Sequence, residues 1–148
     1  MFPFRVLHAR LATGGPLAYL RGYLQWFGLK LRVTPDVLVP RPETELLVEA
    51  AIHLARDRKA RHVVDMGTGS GAIAIGLARS LPDAQIVGID ASSRALEVAR
   101  CNGASLGVSD HISWLEGNLL EPLIAAPDMI VANRPYRSDS TMQELERD

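Results

Sequence analysis

From residue 43 onward the chain alternates short apolar runs with longer stretches of helical spacing, and before it the pattern is of another kind. Leu17-Ala18-Tyr19-Leu20 fits a single helical turn after the breaker Gly14-Gly15-Pro16. Residues 22–27 and 29–33 read as two strands about Gly28, a short hairpin. In its second strand Leu29, Leu31 and Val33 alternate with Lys30 and Arg32, which gives one dry face and one wet face. Pro35, Pro40 and Pro42 punctuate an extended segment. Residues 43–58 form an amphipathic helix with Leu47, Ala51, Leu54 and Val48, Ile52, Ala55 on one face. Pro42 suits its first turn, where a missing N–H costs nothing. Strands are then expected at 62–66, 84–89, 111–115 and 128–132, and helices at 71–80 and 92–105. A loop with room for one helical turn precedes the last strand. Repeated strand–helix units imply an α/β fold, a parallel sheet with helices on both faces. The expected division is residues 1–42 as linker and hairpin and 43–148 as the α/β domain.

The apolar run Val63-Val64-Asp65-Met66 breaks at Gly67-Thr68-Gly69-Ser70-Gly71, and the apolar segment Ala72-Ile73-Ala74-Ile75-Gly76-Leu77-Ala78 follows at once. A strand that turns sharply into a helix while its backbone approaches a ligand needs positions without a Cβ. The free N–H groups of the helix start then offer donors to a polar cofactor. Asp90 ends the next apolar run, where a carboxylate lies in the crevice in which open parallel sheets bind ligands. Its structural role would be capping of the following helix, although Ser92 and Ser93 are themselves good caps. On these residues alone two nucleoside cofactors compete. The segment Gly67–Ala72 also fits the G-x-G-x-x-A pattern of NAD sites, with Asp90 at about the right distance for ribose hydroxyls.

Composition narrows the function classes. At 148 residues the chain can bury a real core, and 47% hydrophobic residues is ordinary for a globular protein. A net charge of -1 gives no case for nucleic acid or for a membrane surface, and no apolar run is long enough to span a bilayer. Cys101 is the single cysteine, which fits a reducing compartment, and its place near Val98 and Ala99 reads as a buried, inert thiol. His8, His53, His62 and His111 show no metal-ligand spacing, so no metal site is read.

Asn133-Arg134-Pro135-Tyr136 follows the strand Met129-Ile130-Val131-Ala132 and so projects into the same crevice as the glycine loop. It resembles the Asn-Pro-Pro-Tyr signature of methyltransferases that alkylate planar amide or amino nitrogens with S-adenosylmethionine. An amide nitrogen is a poor nucleophile, so a site must hold its NH2 with acceptors and aim the lone pair. An Asn side chain with a nearby backbone carbonyl supplies the acceptors, while aromatic ring and prolines exclude water. Pro40-Arg41-Pro42-Glu43-Thr44-Glu45-Leu46-Leu47-Val48-Glu49, Val33–Val39 before it and Gly15–Gly22 resemble the peptide chain release factor N5-glutamine methyltransferase family. The resemblance runs from about Gly14 to Tyr136 with the motifs in the family's order. NAD then falls away, since the chain has no second βαβ half and no acid for hydride chemistry.

The resemblance implies a Rossmann-like S-adenosylmethionine-dependent methyltransferase fold in a cytoplasmic protein. It implies that Gly67, Thr68, Gly69, Ser70 and Gly71 wrap the cofactor, that Asp90 binds the ribose, and that Asn118 and Leu119 flank the adenine. Asn133 would meet both cofactor and substrate, with Arg134, Pro135 and Tyr136 lining the glutamine pocket, and the partner would be a release factor. Three departures stand out. Arg134 replaces a proline, Asn118 replaces an aspartate, and the chain is expected to be truncated, without the family's N-terminal helical domain and its last three strands. A truncated sheet would leave an edge that favours a homo-oligomer or aggregation. It also raises an alternative, a non-catalytic S-adenosylmethionine-binding remnant of such an enzyme.

Overall fold

The computed structural model describes residues 17–133. Among them α1 (Leu17–Arg21) leads into an antiparallel hairpin of β1 (Tyr23–Trp26) and β2 (Leu29–Arg32). Then come α2 (Pro42–Arg58), β3 (His62–Met66), α3 (Ala72–Ser80), β4 (Gln85–Asp90), α4 (Ser93–Ser105), β5 (Ile112–Glu116) and β6 (Met129–Ala132). Elements stand within a residue or two of their expected bounds. The connection from β5 to β6 contains turns and no helix.

The hairpin closes on two residues, Phe27 and Gly28, both at positive φ (50° and 69°). That turn matches the right-handed twist of the paired strands. A phenylalanine in this conformation is unusual, and it is held there: the Phe27 N–H donates to the Glu45 carboxylate at 2.8 Å, and the Trp26 indole N–H donates to the Arg41 carbonyl at 3.0 Å. Both bonds fasten the hairpin to the start of α2. Trp26, Leu29 and Leu31 accordingly share one core with the helices and the sheet.

Four strands form a parallel sheet in the order β5-β4-β3-β6. The chain builds outward from β3 to β5 and then crosses back to place β6 on the other side of β3. That reversal is a topological switch point, where open α/β sheets bind ligands beyond the strand C-termini. Asp128 sets the register of β6: its carboxylate accepts from the N–H groups of Arg61 and His62, and its own N–H donates to the His62 carbonyl at 2.8 Å. These bonds hold the Asp128 carboxyl below its usual range.

Val63, Ile86, Ile112 and Val131 line the sheet face that packs on α2 and α3. α4 reaches that face through Trp114, whose ring lies against Gly71, Gly88 and Gly103. The opposite face carries Val64 and Ile89, both buried, and Ile130, half exposed on β6. The stripe that α2 buries is Thr44, Val48, Ala51, Ile52 and Ala55. Leu54, expected in that stripe, lies at its margin and is half exposed, because the contact is narrower than the apolar face. Cys101 is likewise corrected from buried to exposed, since α4 turns Val98, Ala99 and Asn102 inward and Cys101 away.

Candidate active site

The site is built from strand ends that the registers align: Met66 pairs with Ile89 on one side and with Ala132 on the other, and Asp90 pairs with Glu116. After Met66 the chain turns through Gly67–Gly71 into α3. The N–H groups of Gly67 and Thr68 both donate to the Ile89 carbonyl, at 2.8 and 2.9 Å, which draws the loop over the end of β4. Two of its glycines are required for different reasons. Gly71 has φ 84°, and a Cβ there would stand 2.9 Å from the Trp114 ring and 3.1 Å from Ala99. Gly69 has φ 54°, but a Cβ there would meet nothing within 4 Å. Only the second faces open space, so the loop presents backbone at Gly69 and packs at Gly71.

Asp90 holds this loop directly. One carboxylate oxygen accepts the Gly69 N–H at 2.9 Å and the other accepts the Ser92 N–H at 3.0 Å. Ser92 is the N-cap of α4 and accepts from the Ala95 N–H at 3.2 Å, so capping and loop-holding are shared between neighbours. The Gly117 N–H donates to the Asp90 carbonyl at 3.0 Å, which brings the residues after β5 beside Asp90. Asn118 opens a turn there, and Leu119 is 43% exposed at φ 52°.

Asp65 is the functional-site residue that sequence reasoning passed over. It is 1% exposed, with one oxygen accepting from the Thr68 hydroxyl at 2.6 Å and from the Ala74 N–H at 3.2 Å. The other oxygen is buried without a partner. Burial pushes its pKa up to about 6; the bonds from Thr68 and Ala74 pull the other way, and the Asp90 charge adds to the rise. The signal was present, since an acid inside an apolar strand immediately before the glycine turn must have a reason to be there.

A stability consequence follows from this shift. The folded state keeps the Asp65 proton at pH values where the unfolded chain has lost it. The group is therefore neutral to stability below about pH 4 and increasingly costly as pH rises through about 6, by at most about 3 kcal/mol. Urea unfolding of the wild type and of Asp65→Asn at successive pH values should show profiles that diverge between pH 4 and 7, with the wild type losing more. Parallel profiles would contradict the assignment.

Asn102, also missed, joins the site to the hairpin. It is 1% exposed, its carbonyl accepts the Arg32 N–H at 2.7 Å, and its amide donates to the carbonyls of Arg32 (3.0 Å) and Ser70 (2.9 Å). One side chain on α4 thus ties β2 to the glycine loop. Asn133 follows β6 and donates through Nδ2 to the Thr44 hydroxyl oxygen at 3.0 Å. The structure therefore gathers Gly67, Thr68, Gly69, Ser70, Gly71, Asp90, Asn118, Leu119 and Asn133 at one end of the sheet, whereas Arg134, Pro135 and Tyr136 lie outside the described residues.

A switch-point crevice with a glycine turn after the first strand and an acid after the second defines a Rossmann-like nucleoside-cofactor domain. The methyltransferase small domain model matches residues 42–146, and the chain belongs to that family. The release factor glutamine methyltransferase of Bordetella pertussis is 46% identical over 135 residues, covering 90% of this chain and 49% of that protein. The protein of the same name from Gloeobacter violaceus is 45% identical over 128 residues, 86% of this chain and 45% of the relative. The chain spans about half the length of the curated relatives it matches. Among solved structures, a ribosomal protein L11 methylase from Lactobacillus delbrueckii subsp. bulgaricus aligns with TM-score 0.58 at 30% identity, covering 70% of this chain and 52% of that one. A human methyltransferase 10 domain containing protein shares the fold with TM-score 0.59 at 23% identity, covering 82% of this chain and 61% of its own.

Proposed function

We propose that the chain forms the cofactor-binding part of a cytoplasmic S-adenosylmethionine-dependent protein-(glutamine-N5) methyltransferase acting on the Gly-Gly-Gln glutamine of a translation release factor. In this reading residues 1–42 serve as linker and hairpin and 43–148 as the methyltransferase domain. One observation carries the proposal: in-register pairing of β3 with β6, Met66 opposite Ala132, sets the glycine loop beside Asn133. A cofactor loop and an amide-binding residue are thereby neighbours at one switch point. The names of the relatives support the same substrate class.

The chain's residues fit that cofactor. Open space at Gly69 leaves the loop backbone accessible, and each Asp90 oxygen keeps a lone pair for a ribose hydroxyl after accepting one N–H. The unpartnered oxygen of Asp65 leaves a buried carboxyl beside the glycine turn, which its other oxygen joins through Thr68. When bound, S-adenosylmethionine would supply an electrophilic methyl group on a sulfonium sulfur. Asn118 and Leu119 would flank the adenine. Asn133 would accept a hydrogen of the glutamine NH2, and Pro135 and Tyr136 would pack on the planar amide and keep water out.

Arg134 is the place where this chain departs from the resembling family within the catalytic motif. It adds a backbone N–H, freedom in φ and a permanent positive charge, which would repel a sulfonium brought close to it. That residue favours a second reading, a form that binds the cofactor and does not transfer. Radiolabelled methyl transfer to a release factor tests both. Arg134→Pro is expected to raise turnover above the wild type's. Full activity with Arg134 in place, unchanged by the substitution, would contradict the role given to it. Cofactor binding without transfer in either form would support the second reading.

A further inference from the structure

The buried stripe of α2 contains one polar residue. Val48, Ala51, Ile52 and Ala55 are apolar, whereas Thr44 brings a hydroxyl into the first turn at 6% exposure. A buried hydroxyl needs a partner, and Thr44 finds it 89 residues away in the Nδ2 of Asn133, at 3.0 Å. Asn133 is itself exposed and is the last described residue of the strand-end motif. A side-chain amide can turn either of two ends outward, and in water the two are nearly equivalent. Only its NH2 end can donate to Thr44 while the carbonyl stays available. Among the described residues that carbonyl oxygen takes no side-chain or backbone donor.

We propose that Thr44 is a positioning residue for Asn133: in accepting from Nδ2 it holds the amide in the orientation that presents Oδ1, an acceptor for a substrate N–H. This links two segments that the sequence keeps far apart, the Pro40–Glu49 segment and the motif after β6. The start of α2 is in turn anchored to the hairpin through Trp26 and Glu45, so the hydroxyl is held on a rigid element and not on a loop. The functional consequence rests on the proposed amide substrate; the positioning itself does not. With the amide rotated, Asn133 would offer an NH2 to another NH2, a contact in which neither group accepts.

The test is spectroscopic and uses the whole 15N-labelled chain. The Asn133 side-chain NH2 pair is assigned by its loss in Asn133→Asp. In the wild type one of the two protons should be shifted downfield and exchange slowly with water. Thr44→Val keeps the shape and removes the acceptor, and it should move that proton to the position of a free amide and speed its exchange about tenfold. Thr44→Ser should restore the wild-type signal, and Thr44→Ala serves in place of Thr44→Val should the extra methyl perturb the fold. Unchanged Asn133 signals in Thr44→Val or Thr44→Ala, with a native backbone spectrum, would overturn the proposal. So would a failure of Thr44→Ser to restore them. Methyl transfer to a Gly-Gly-Gln peptide then separates this from the proposed activity. With transfer present, Thr44→Val should lower kcat about tenfold and leave cofactor affinity unchanged. Absence of transfer by the wild type, with the Asn133 signals responding as described, would overturn the activity and leave the positioning standing.

Discussion

Asn102→Leu is expected to lower the unfolding free energy by about 2–4 kcal/mol, the largest effect of any single polar replacement in the core. Leucine has the branching and heavy-atom count of asparagine and is the larger of the two, so the cost does not come from a cavity. It comes from the three backbone groups left behind: the Arg32 N–H, the Arg32 carbonyl and the Ser70 carbonyl, all of which now bond to the Asn102 amide. Arg32 ends β2 and, among the described residues, has no further strand to pair with there, while Ser70 belongs to the glycine loop. Loss of the tie should therefore free the hairpin from the loop as well as destabilise the fold. Chemical denaturation measures the first effect. A loss below about 0.5 kcal/mol would mean that water or local adjustment satisfies these groups.

The second large effect is expected on binding. Asp90→Ala should weaken S-adenosylmethionine binding by about 1–3 kcal/mol, roughly 5- to 150-fold in affinity. Two contributions act together. The carboxylate would no longer accept ribose hydroxyls, and the Gly69 and Ser92 N–H groups would lose the acceptor that sets the loop against α4. Because Ser92 still caps α4 through Ala95, the helix should persist, and the unfolding curve should move less than the binding isotherm. Equal affinity in the two proteins would remove Asp90 from the site.

The order of elements was legible because each strand and helix has its own local spacing. The run at Met129–Ala132 is apolar and bounded by polar residues, that at Val63–Met66 is apolar but for Asp65, and the glycine turn stands between a strand pattern and a helix pattern. The glycine turn and the strand-end place of Asp90 could be read for the same reason, since a turn and a strand end are local events. What escaped the reading is long-range. The partners of Asn102 lie 70 and 32 residues away and that of Thr44 lies 89 away, so no spacing rule reaches them. Asn102 lies in the inward phase of α4 with Val98 and Ala99, a phase that says nothing of a tie to the hairpin. The same phase, followed carefully, turns Cys101 outward. Leu54 failed for the opposite reason: periodicity gives the apolar face of a helix, and only the packing partner decides how wide a stripe is covered.

Calorimetric titration of the purified chain tests most directly the proposal that the glycine loop, Asp65 and Asp90 hold one cofactor. S-adenosylmethionine should bind at a single site, Asp90→Ala should weaken that binding at least about fivefold, and NAD should give no saturable heat. Saturable NAD binding that displaces S-adenosylmethionine, or no binding of S-adenosylmethionine by a chain that melts cooperatively, would contradict it.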